Sequence, residues 1–357
     1  LNIAFFGSSL VSAFWNGAAT YYRGIIRAMS ERGHSVTFYE PDAWQRQEHR
    51  DMADPAWARV VVYPATESAA LAYVEEAGRA DLIVKASGVG IFDELLEQAV
   101  LDQRTSSNMV VFWDVDAPAT LDRLISQPED PFHRLVPRYD AIFTYGGGDP
   151  VVSAYRSRGA RECVPIYNAL DPDTHFPVNQ HPGFNAELSF LGNRLPDREA
   201  RVDEFFLKSA QILDEHRFLL GGSGWSDKPR TANVRYLDHV YTRDHNAFNS
   251  TPLAVLNVTR DSMTKYGFSP ATRVFEAAGA AACIITDRWQ GIETFFQPGS
   301  EILVARDANE VVEHLRSLTL KRSRQIGLNA LRRVLAEHTY AHRAAQLDEV
   351  MGVGVAA

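Results

Sequence analysis

Apolar residues along this chain gather into short, almost unbroken runs, separated by longer stretches in which they recur at helical spacing. The runs at residues 1–6, 35–39, 59–63, 82–86, 109–113, 141–145 and 162–166 predict strands, and the periodic stretches at 17–32, 68–77 and 93–102 predict helices between them. Strands that are apolar throughout, and not merely alternating, need cover on both faces. Helices inserted between parallel strands supply that cover.

Residues 168–177 interrupt the rhythm. They hold Pro172 and Pro177, follow closely on Pro165 and show no periodicity, as expected of an interdomain connector. Alternation then restarts. Strands are predicted at 187–191, 217–220, 253–258, 282–286 and 302–304, a helix at 197–213, and a long terminal helix at 322–351 whose arginines form a solvated face. The expectation is an α/β protein with two Rossmann-like, doubly wound parallel-sheet domains, at residues 1–167 and 178–340. Residues 341–357 are expected to pack back on the first domain.

The length of 357 residues suits two domains, each with a sizeable core. A formal net charge of −9 argues against broad binding of nucleic acid or anionic membrane, which rests on many Lys and Arg contacts. No apolar run is long enough for a transmembrane segment. Cys163 and Cys283, the only cysteines, sit in strand-like runs without metal-ligand or disulfide spacing, which suits a reducing, cytoplasmic setting. The first residue is Leu1 and not Met, which leaves a removed leader open.

The densest chemistry lies at residues 257–287. Ser269 has the character of a helix N-cap and Pro270 that of a first-turn residue, so a helix is expected from 270 to 279. Its free N–H groups would make an anion site at the 266–269 loop. Arg273 and Glu276 share a face of that helix. An Arg there can meet phosphate oxygens and a carboxylate can accept from ribose hydroxyls; an ordinary capped helix with a surface ion pair is the alternative. Gly192-Asn193-Arg194, with Arg198 beyond, follows the first strand of the second domain, where doubly wound sheets bind ligands. Gly222 lies in a second glycine-rich loop.

These motifs resemble the nucleotide-sugar-binding half of GT-B glycosyltransferases, and most closely the spore-maturation (CgeB-like) branch. The resemblance rests on Asn-x-x-Arg ending at Arg260, Ser-Pro-x-x-Arg-x-Phe-Glu-Ala starting at Ser269, the Phe-Gln-Pro-Gly-Ser-Glu turn at 296–301, His-Thr-Tyr-x-x-Arg at 338–343 and the 167–177 segment. It implies two domains facing a cleft, with a nucleotide-sugar donor, by default a UDP-sugar, on the second. It further implies that Gly192, Asn193, Arg194, Arg198, Gly222, His239, Val240, Arg260, Phe268, Ser269, Arg273 and Glu276 line the donor site, His239-Val240 at the nucleobase. In the retaining members two glutamates are separated by seven residues. Glu276 matches the second, but the first falls on Phe268, so stereochemistry does not carry over.

In the first domain the 7–17 loop lacks G-x-G-x-x-G, which weakens a dinucleotide reading. The resemblance gives this loop to the acceptor, with Ser8, Ser9, Trp15 and Asn16 as its contacts; Phe14 and Trp15 could equally be core. Asp114 and Asp116 end a strand and are candidates for the base that deprotonates an acceptor hydroxyl, although Asp116 also suits a helix cap. His175 in the connector is a further catalytic candidate. No Asp-x-Asp lies where the diphosphate would bind, so the expected transfer needs no metal and no cofactor. The acceptor is open among glycan, protein and small natural product. The competing functions are a nucleotide-sugar 2-epimerase on the same fold and an inactive sugar-nucleotide or carbohydrate-binding protein.

Overall fold

A computed structural model describes residues 1–353 of the chain, which divides into two compact units. The first runs from Leu1 to Tyr167 and takes in the last helix, Tyr340–Val350; the second runs from Asn168 to Thr339.

The first unit is built on a seven-stranded parallel sheet. Its strands are β1 (Asn2–Phe6), β2 (Ser35–Asp42), β3 (Arg59–Pro64), β4 (Leu82–Ala86), β5 (Met109–Asp114), β6 (Ala141–Thr144) and β7 (Cys163–Pro165). They lie in the order β3-β2-β1-β4-β5-β6-β7. The central strands are buried on both faces, as unbroken apolar runs require. Even Lys85 in β4 is enclosed, its charge met by Asp93 at 2.7 Å.

The second unit repeats the plan with six parallel strands: β8 (Leu188–Leu191), β9 (Phe218–Gly221), β10 (Val234–Leu237), β11 (Ala254–Asn257), β12 (Ile284–Asp287) and β13 (Leu303–Ala305), ordered β10-β9-β8-β11-β12-β13. In each sheet the winding reverses beside the first strand, at β1/β4 and at β8/β11. Ligands of such sheets bind beyond the carboxyl ends of the strands at that point.

Three helices depart from the sequence expectation. The 270–279 helix begins at Thr272, because Gly267 (φ 68°) and Phe268 (φ 45°) turn the chain left-handed and Ala271 stays extended. Ser269 therefore caps nothing, and its hydroxyl donates to the Gly267 carbonyl at 2.9 Å. The long terminal helix is two helices, Leu320–Glu337 and Tyr340–Val350, interrupted where the Leu170 amide donates to the His338 carbonyl at 2.8 Å. The run Pro196–Ile212 stays helical but widens to a π-helical turn at Asp203–Leu207.

Candidate donor site

The turn after β8 and the turn after β9 lie against each other. A Cβ on Gly222 would stand 2.4 Å from the Gly192 carbonyl oxygen, so only glycine allows this approach, and Gly222 also has φ 116°. The Asn193 side chain accepts from the Ser223 amide at 3.0 Å, and the buried Trp225 donates to Gly192 at 2.7 Å. The loop is thus a fixed shelf at the β8 end of the switch point.

On this shelf Arg198 lies over the Phe190 ring, its Cζ 5.6 Å from the centroid. It donates to the Asn193 carbonyl, while its Nε is buried without a partner. Burial and the nearby charge of Arg273 push its guanidinium down to about 10. Arg273, on the helix Thr272–Gly279, is held below its usual range by burial, and its Nη1 is also buried without a partner. Two guanidiniums that repel each other, each with an unsatisfied N–H, form a site in want of an anion.

Glu276 lies one turn further along the same helix, its side chain only 13% exposed. Burial alone would raise its carboxyl, but His175, Arg273 and His245 outweigh burial and hold it below the ordinary carboxylate range. His175 Nε2 stands 3.9 Å from Glu276 Oε1, and the His245 ring is 6.4 Å from that of His175. His245 is pushed down, by burial first and then by Arg273, and its Nε2 pairs with the Val240 carbonyl at 3.2 Å. The sequence missed His245. It stands 31 residues before Glu276, and only the fold brings the two together.

Other donor-side expectations fare differently. Arg194 is spent on its own chain, paired with Glu199 at 2.7 Å and Asp227 at 2.9 Å, and so is not an open phosphate ligand. Arg260 is paired with Asp197 at 2.6 Å. His239 is exposed and meets Tyr241 edge to face, while Val240 packs into a small core with Leu191, Leu219 and Phe248. Phe268 is half-buried and faces Gly291, where a Cβ would come within 2.1 Å of its ring.

In the first unit Asp114 is corrected. Its carboxylate is 0% exposed and accepts from Ser87, Thr120, Tyr155 and the Asp116 amide. Burial pushes it up and these bonds offset that only in part, which makes it a structural hub out of reach of a substrate hydroxyl. Asp116 is half-buried at the start of the helix Ala117–Ser126, but its side chain makes no cap bond. Ser9 is likewise spent: its hydroxyl donates to the buried Glu40 at 2.9 Å. Ser8 donates to Asn16 at 2.8 Å, and Asn16 returns bonds to the Ser9 and Ser12 carbonyls, so these polar groups hold the loop. Trp15 is 84% exposed, and Phe14 stacks on His49 at 4.0 Å. Among the described residues no group of three or more His, Cys, Asp or Glu is arranged to hold a metal ion.

Two parallel Rossmann-like sheets, the second carrying two buried guanidiniums and a buried, ionised carboxylate, have the architecture of GT-B glycosyltransferases. The family model described as glycosyl transferase-like matches residues 198–349, and with the fold this supports a transferase. The chain is similar to the sucrose-phosphate synthase of Thermosynechococcus elongatus, with TM-score 0.71, 14% identity and 98% of each chain covered. It is also similar to Anabaena HepE in complex with UDP and glucose, with TM-score 0.65, 14% identity and 99% of each chain covered. The T4 phage enzyme BGT, solved with its UDP-glucose substrate, matches with TM-score 0.60 and 13% identity over 99% of this chain and 100% of that one. At such identities the likeness is one of fold. No curated protein matches the sequence.

Proposed function

We propose that the protein transfers a sugar from a nucleotide-sugar, with UDP the default nucleotide, to a hydroxyl acceptor, and does so without a divalent ion. The observation that carries this is the Arg198–Arg273 pair, each with a buried, unpartnered N–H group, and the ionised Glu276 one helical turn beyond Arg273. A diphosphate supplies the missing acceptors of the arginines and a ribose diol the donors for Glu276. The arginines and the N–H groups of the first turn after Ala271 then carry the charge that leaves with the nucleotide. Solved structures of similar fold hold UDP or UDP-glucose, which favours that nucleotide as the first to test.

The CgeB-like branch and a cytoplasmic setting remain part of this reading; among the described residues no helix is long and apolar enough to cross a membrane. Phe268 in place of an acidic residue favours, as a second reading, a protein that binds sugar-nucleotides without turnover. Radiolabelled UDP-sugars with a mixed-acceptor panel in EDTA test the proposal. Label should move to an acceptor at the same rate with and without chelator. Loss on chelation restored by Mg²⁺ would contradict metal independence, and binding without transfer or hydrolysis would favour the second reading.

A further inference from the structure

The helix Leu320–Glu337 buries its small residues and leaves its large ones outside. Ser323, Gly327 and Ala330, with Ile326 and Val334, form the face turned to the rest of the second unit. Gly327 sets how closely that face lies: a Cβ there would stand 2.0 Å from the Ala281 carbonyl oxygen. The leucines point elsewhere. Leu320 is 51% exposed, Leu328 43% and Leu335 44%, and Leu331 is half-buried. At about 3.6 residues per turn these four positions fall within about a quarter of the helix circumference. They therefore form one stripe along the helix. A lone exposed leucine is ordinary, but a contiguous row of them marks a surface that meets something.

The same side of the helix carries cations and no acid. Lys321, Arg324 and Arg332 are exposed, and helical spacing sets them between and beside the leucines. Among the described residues none of the three forms an ion pair, and Arg332 reaches only the Asn329 side chain, at 3.5 Å. Glu337, the one acid of this helix, lies on another side and is held by Arg333 at 2.8 Å. Five Lys and Arg residues against one Glu give the helix a sign opposite to that of the chain, whose net charge is −9. The whole-chain charge thus averages over a local cationic face.

We propose that this face of the helix, from Leu320 to Leu335, docks on an anionic lipid surface, with the helix lying in the plane of the headgroups. A protein partner is held chiefly by aromatic and Arg anchors seated in pockets, and this helix has no Trp, Tyr or Phe. Two copies of the chain meeting through this face would bring like charges together with no acid between them. A lipid surface meets neither obstacle. Leucines enter the boundary between headgroups and acyl chains, while long Lys and Arg side chains carry their charges back to the phosphates. Charge complementarity selects the lipid, because cations without counter-ions are matched by an anionic headgroup and not by a zwitterionic one. The inference stands apart from the donor site and does not depend on it.

The test is co-sedimentation of the full chain with vesicles of phosphatidylcholine alone and of phosphatidylcholine mixed with phosphatidylglycerol. Wild type should partition to the mixed vesicles and not to phosphatidylcholine, and added salt should weaken the binding. Leu328→Ser with Leu335→Ser, and separately Arg324→Glu with Arg332→Glu, should each weaken partition by at least about tenfold. All four positions are exposed, so both variants should keep the wild-type Tm. Arg322→Glu, on the opposite side of the helix, should cost severalfold less than Arg324→Glu. An environment-sensitive dye on Leu328→Cys should shift to the blue on mixed vesicles; the native Cys163 and Cys283 are buried and do not compete for it. No partition to mixed vesicles, equal partition to both kinds, no dye shift, or equal losses in Arg322→Glu and Arg324→Glu would overturn the proposal. Self-association of the wild type that disappears in the leucine variant would also overturn it, since a second copy would then cover the stripe.

Discussion

His175 Nε2 faces Glu276 Oε1 across 3.9 Å, and this pair joins the connector to the helix that carries Arg273 and Glu276, two of the three proposed donor ligands. With His245 behind it, the pair sets the charge of the site. His245 is depressed in the folded protein, so the unfolded chain binds its proton first as pH falls. Its contribution to stability is therefore full above the unfolded value near about 6.5 and is lost as pH falls through the lower folded value. Glu276 is also depressed, and its contribution is lost only in stronger acid, below the ordinary Glu value of about 4.3. In thermal melts between pH 6.5 and 5 the unliganded wild type should lose stability, and His245→Gln should lose less. Equal slopes would show that His245 does not titrate as its burial requires.

Arg198 stands on the cost side of the same site. Burial beside Arg273 depresses it to about 10, so its charge is retained against the interests of the empty protein. Arg198→Met keeps length and packing on Phe190 and removes the repulsion. The unliganded protein should gain roughly 1–2 kcal/mol, or a few degrees in Tm, while UDP affinity falls. A lower Tm would mean that Arg198 is a structural group.

Asp114 yields the opposite pattern. Asp114→Asn replaces an acceptor of four hydrogen bonds by a group that must turn an NH₂ toward one of its donors. The expected cost is about 1–3 kcal/mol. Calorimetry should find a lower Tm with UDP affinity unchanged. Normal stability with lost turnover would return Asp114 to the chemistry.

Much of this was legible in the chain. Runs such as 82–86 and 253–258 announced buried parallel strands, and Arg273 and Glu276 were tied by helical spacing alone. Failures came where a side chain's partner is distant in sequence. Nothing near Arg194 signals Asp227, 33 residues on, and nothing near Asp114 signals Tyr155. Ser269 failed locally, because the Gly267-Phe268 turn gave its hydroxyl a nearer carbonyl than the helix could offer.

Glu97 offers a test of the first unit by itself. Burial pushes its carboxyl up to about 7, against the pull of Lys85 and Arg123. A raised carboxyl binds protons in the folded state, so its stabilising effect is complete below the unfolded value of about 4.3 and is lost as pH rises to about 7. Glu97→Gln should leave stability near wild type at pH 4.5 and raise it at pH 8 by roughly 1–3 kcal/mol, read as a higher Tm. A variant less stable than wild type at pH 8 would mean that the pairing with Arg123 outweighs burial.

The donor site is tested most directly by calorimetric titration of UDP and of uridine into wild type, Arg273→Met and Glu276→Gln. Wild type should bind UDP more tightly than uridine in EDTA. Arg273→Met should lose that preference, with UDP weakened about tenfold or more and uridine little changed. Glu276→Gln should weaken both ligands alike, by about tenfold, because it acts on the ribose they share. UDP and uridine affinities that stay at wild-type levels in both variants would contradict a donor site at Arg273 and Glu276.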